Sequence, residues 1–133
     1  MRFLSIYKTA ETSVPPTPEY IARMEKLIDD MTRAGTLIAT EGCLPSALGA
    51  RVRRSAGKVT VTDGPFVETK EVVGGFAILE ARSKEEATEL ARTFLDVAGD
   101  GECEIRQIYT PSEAGTGSCV EGNMGLADQF ARG

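Results

Sequence analysis

The sequence predicts an α+β sandwich built in the order β-α-β, hairpin, β-α-β. Three observations predict it. Four apolar segments read as main strands, two stretches carry a helical stripe, and a shorter pair alternating with period two sits between the halves.

Residues 2–8, RFLSIYK, are β-rich and end in the polar run TAETSVPPTP, a loop. Thr17 is placed to cap the first helix, with Pro18 at its first position. Ile21, Met24, Leu27, Ile28 and Met31 then recur at three- and four-residue steps, and Gly35 supplies a left-handed stop. Residues 36–44, TLIATEGCL, form a second strand that ends before Pro45. ARVRRS and KVTVTD alternate on either side of Ser55-Ala56-Gly57, a hairpin. VVGGFAILEAR is the third main strand. Ser83 and Glu86 match a capping box, and the helix after them carries Ala87, Leu90, Ala91, Phe94 and Leu95 on one side and stops at Gly99. ECEIRQIY, residues 102–109, closes the domain. This order makes residues 1–109 a ferredoxin-like βαββαβ sandwich with an inserted β-hairpin. Residues 110–133 are glycine-rich and lack clear periodicity before LADQFA, so they read as a C-terminal tail that is ordered only if it docks on the domain or its dimer.

Two helices cover one face of a four-stranded sheet, which leaves the other to be polar or partnered. Leu4 and Ile6 point one way and Phe3 and Tyr7 the other; Phe76 and Ile78 oppose Ala77 and Leu79. Apolar residues on both faces predict a homodimer in which the face holding Phe3 and Tyr7 meets its copy, the arrangement of a dimeric α+β barrel. The competing cover is the tail folded back over the same face.

The chain has 133 residues, 41% hydrophobic and 26% charged, with a net charge of −5 and scattered basic residues. That composition is ordinary for a globular protein, and neither a nucleic-acid footprint nor a polybasic membrane patch is visible. No apolar run approaches the roughly 20 residues that span a bilayer, and MRFLSIYKTAE reads as a strand rather than a signal peptide. Cys43, Cys103 and Cys119 are widely spaced and read as buried thiols in a reducing cytoplasm. Histidine is absent altogether. Its absence removes Ser-His and Cys-His nucleophiles, His-ligated haem and most zinc sites, so neither metal nor cofactor is expected.

The stretch VTDGPFVETKEVVGGF gathers the candidate site residues. Asp63 can fix the turn by accepting backbone N–H groups, or carry a proton if an apolar cleft raises its pKa. Gly64, Gly74 and Gly75 give either positive φ, close backbone approach or room for a ligand. Phe66 is core, cleft wall or a stacking platform. Glu68, Lys70 and Glu71 form a self-paired surface run, unless Lys70 turns in beside Asp63 as an anion anchor or base. Arg51 and Arg53, two apart on a strand, share a face suited to a carboxylate-bearing ligand or to a charged hairpin edge. Tyr7, on the dimer side, either packs or donates to a ligand.

LPSA at 44–47 and VRRSAGKVTVTDGPFVETKEVVGGFAILE at 52–80 closely resemble the DGPF-type, YCII-related proteins. The resemblance rests on Asp63-Gly64-Pro65-Phe66, Glu68-Thr69-Lys70-Glu71 and Gly74-Gly75-Phe76. It implies a dimeric α+β barrel, a bacterial cytoplasmic protein, and an association with extracytoplasmic-function sigma-factor systems. The wider group is thought to use a His-Asp pair in a cleft; Asp63 matches the acidic half, and this chain has no histidine for the other. Three readings stay open: metal-free proton transfer on a small acidic or carbonyl metabolite, a non-catalytic ligand-binding or regulatory module, and a purely structural subunit.

Overall fold

A computed structural model of the chain describes residues 1–110. Its elements are β1 (Arg2–Thr9), α1 (Pro18–Arg33), β2 (Leu37–Gly42), a 3-10 turn at Ser46–Leu48, β3 (Ala50–Ser55), β4 (Lys58–Asp63), β5 (Val72–Glu80), α2 (Lys84–Ala98) and β6 (Glu102–Gln107). The local signals act where the sequence places them. The Thr17 hydroxyl accepts from the Tyr20 N–H at 3.1 Å, and the Ser83 hydroxyl from the Glu86 N–H at 3.2 Å. After α1 the chain turns at Gly35 with φ 78°. The hairpin tip is Ala56 (φ 51°) and Gly57 (φ 80°), a left-handed pair that suits a two-residue connection.

The main sheet is antiparallel in the order β2-β5-β1-β6, and β3 and β4 form a separate two-stranded sheet. The fold is therefore mixed α+β, with both helices packed on one face of the main sheet. Phe3, Leu37, Leu79, Ala81 and Ala87 are buried together, with Ile28, Met31, Leu90 and Ile105 packed against them. Phe3 is 2% exposed, and burying a ring of that size stabilises by about 1.5–3 kcal/mol.

This arrangement corrects the facing of β1. Phe3 and Tyr7 point at the helices, not away from them: Phe3 lies in the core and the Tyr7 ring meets Phe94 of α2 edge-on, centroids 5.1 Å apart. The outward side instead carries Leu4 and Ile6, opposite Ile78 and Phe76. The alternation itself was legible, but both parities of β1 are apolar, so only long-range packing decides which one is core. Cys43 is exposed rather than buried, and Cys103 is half-buried. Burial pushes the Cys103 thiol's pKa up. Cys119 and the tail from residue 111 lie outside the described residues. Among those described, no helix is long and apolar enough to cross a membrane.

Candidate functional site

The layer between helices and sheet is not filled. A cavity of about 380 Å³ opens between α1, α2 and the β2–β5 edge of the main sheet. Met24, Leu27, Leu90 and Phe94 supply its helical walls, and Ser5, Tyr7, Tyr20 and Thr40 bring hydroxyls to it. Its floor is bare where Gly42 and Gly75 pair across β2 and β5. Neither Gly74 nor Gly75 has a positive φ. The glycine at 75 is required by close approach, since a Cβ there would stand 2.8 Å from the Glu41 carbonyl oxygen.

Three of the four hydroxyls are engaged, that of Ser5 with the Cys103 thiol. Tyr7 donates to the Asp100 carbonyl at 3.1 Å, and Thr40 to the Phe76 carbonyl at 2.9 Å. The Tyr20 hydroxyl has no partner among the described residues, and burial, aided by nearby Tyr7, pushes its pKa up. It stays a neutral donor. Glu41 is the sole charged residue among the described ones on the wall, and the register sets it beside Phe76, outward from the helices. The sequence reading missed Tyr20. Continuing the α1 stripe four residues back from Met24 would have found it.

The loop that carries most sequence-predicted residues stands elsewhere, around a second, more open hollow of about 680 Å³ on the β3 side. Lys8, Cys43, Leu48, Arg51 and Phe66 line it. Arg51 lies over the Phe66 ring, 3.9 Å from its centroid, ion-pairs with Glu68, and reaches the Thr69 hydroxyl at 3.4 Å. A backbone N–H and then Arg51 hold the Glu68 carboxyl below the ordinary carboxylate pKa. Glu68 thus pairs across the loop rather than within the 68–71 run. Lys8 is likewise matched, by Glu104 at 2.8 Å. Arg53 shares the Arg51 face but is exposed, as is Lys70, and neither forms an ion pair among the described residues.

Asp63 ends β4 opposite Ala50, is exposed, and lines neither hollow. Nor does its carboxylate fix the turn. The Gly64 N–H donates to the Gly49 carbonyl at 3.0 Å, and the 64–65 peptide is cis. The loop is held from a distance by Glu11, whose carboxylate accepts from the Ser46 N–H at 2.5 Å and the Ser46 hydroxyl at 2.8 Å. The Ser46 hydroxyl in turn accepts from the Phe66 N–H at 3.2 Å. These bonds keep the Glu11 pKa below its ordinary value, the backbone one foremost. Gly64 packs so closely that a Cβ there would overlap the Ser46 carbonyl oxygen. No three His, Cys, Asp or Glu side chains among the described residues assemble into a metal-binding group.

Comparison with known proteins agrees with the motif at 63–76. An uncharacterized protein, R00369, of Rhizobium meliloti (strain 1021) is 37% identical over 83 residues, covering 60% of this chain and 67% of that protein. The family model for the YCII-related domain matches residues 1–110, the whole of the described structure. The chain belongs to the YCII-related family.

Proposed function

We propose that the protein binds a small, uncharged, largely apolar molecule in the cavity between its helices and its main sheet. One observation carries this reading. The walls are aliphatic and aromatic, and among the described residues neither Lys nor Arg lines them. A carboxylate or phosphate entering there would lose its hydration without a counter-charge, a cost of several kcal/mol. A neutral molecule meets apolar walls and one available donor, the Tyr20 hydroxyl. The volume lies within the range of small-molecule sites. Binding without turnover fits better than proton transfer through Asp63, because Asp63 is exposed and lines neither hollow.

The strand order and the two helices on one face support reading the domain as a ferredoxin-like βαββαβ sandwich with an inserted hairpin. Leu4, Ile6, Phe76 and Ile78 on the outward face support pairing of two such sheets into a dimeric α+β barrel.

A thermal-shift screen divided by ligand charge tests the binding reading. Neutral compounds bearing a carbonyl or ether oxygen are expected to raise the melting temperature, in proportion to ln(1 + [L]/Kd). Tyr20→Phe is expected to weaken the best of them about tenfold, as loss of one hydrogen bond should. Stabilisation confined to carboxylates, or a Tyr20→Phe protein that binds as well as wild type, defeats the assignment.

A further inference from the structure

The β3–β4 hairpin turns its apolar side away from the body. Across the pair, Val52 faces Val61, Arg54 faces Val59 and Ala50 faces Asp63, so these six residues share one side. The other side carries Arg51, Arg53, Ser55, Lys58, Thr60 and Thr62. It is this polar side that meets the rest of the molecule, through Arg51 on Phe66, Glu68 and Thr69. Val52, Val59 and Val61 are left 71%, 58% and 63% exposed. A lone monomer gains nothing from that choice, since a two-stranded hairpin is marginal by itself and stabilised by burying its apolar side.

We propose that the hairpin is an arm whose valine side docks on a second copy of this chain. The charges favour a like partner. Arg54 and Asp63 stand at diagonal corners of the valine side, exposed and without an ion-pair partner among the described residues. The side therefore presents a positive and a negative corner around an apolar centre. Two copies crossed about a two-fold axis bring Arg54 of each against the partner subunit's Asp63, so both charges are matched twice over. A partner of single charge would leave one corner opposed. The motif's aspartate thereby has a role in association rather than chemistry. The inference rests on the sheet-pairing reading above only for the existence of a dimer, and adds a contact that the sheets do not supply.

Analytical ultracentrifugation at micromolar concentration tests it. Wild type is expected at twice the 14.2 kDa chain mass. Val61→Glu is expected at the single mass with unchanged circular dichroism, because Val61 touches no core. Arg54→Asp and Asp63→Arg should each weaken association about tenfold, and the double charge swap should restore it. A Val61→Glu protein that stays dimeric while Ile78→Glu dissociates overturns the arm and leaves the sheet pairing standing. Wild type at the single mass overturns both. Failure of the double swap to restore association overturns the arm's pairing.

Discussion

The helix–sheet body and the hairpin-with-loop module are held by different physics. In the body, Phe3, Leu37, Leu79 and Ala87 exclude water from one another, and no polar side chain is needed to fix them. The module has no such centre. It is fastened by Glu11 on Ser46, by Ser46 on Phe66, and by Arg51 laid between Phe66 and Glu68. Apolar burial is indifferent to proton concentration and is little affected by salt, whereas a carboxylate clasp and an exposed ion pair respond to both. One chain thus contains a part that sets stability and a part that can be loosened without unfolding it.

Substitutions sharpen that contrast in order of size. Phe3→Ala should cost about 3–5 kcal/mol in denaturant unfolding, as large-to-small changes at buried aromatics do. A loss under about 1 kcal/mol would mean that the core is not where the packing places it. Gly64→Ala should cost about 1–3 kcal/mol, because its methyl overlaps the Ser46 carbonyl and the loop must move. The loss should be accompanied by amide-shift changes confined to residues 44–70, and changes spreading into α1 and α2 would erase the distinction between the two parts.

The smallest effect concerns pH. The folded Glu11 pKa is depressed below its unfolded value, so its contribution is fully present above the unfolded pKa and is lost as pH falls through the folded one. The melting temperature should therefore fall on acidification below about pH 4.5. Glu68, Glu86 and Glu104 are depressed as well and contribute to the same slope. The informative quantity is the difference between wild type and Glu11→Gln, which should shrink towards zero at low pH. A difference that stays constant from pH 7 to pH 3 contradicts the clasp.

What could be read from the chain was what depends on near neighbours. Thr17 and Ser83 cap within three residues, the Ala56-Gly57 tip joins adjacent strands, and the contiguous run at 44–80 carries the resemblance to the family whose model matches residues 1–110. What escaped depends on residues far apart. Glu11 lies in a loop of Thr, Ser and Pro, and nothing local marks it as the partner of Ser46, 35 positions on. Tyr7 carried the right chemistry for a site but was set on the wrong side of the sheet, since Phe3 and Leu4 are equally apolar. The acid-and-base loop drew attention because its residue types are those of catalysis. Their side chains are instead matched to one another or exposed, and the more enclosed space lies behind Tyr20.

The tip at Ala56 and Gly57 touches nothing, yet it decides what the outside world meets. Both residues hold left-handed backbone, which fixes the connection at two residues and so fixes which rungs lie opposite. Because side chains alternate at every step, adding one residue at this point would rotate β4 by half a turn relative to β3. Thr60 and Thr62 would then stand outward beside Val52, and Val59 and Val61 would be carried under Arg51. A single codon at a solvent-washed corner could thereby exchange a greasy handle for a hydroxylated one.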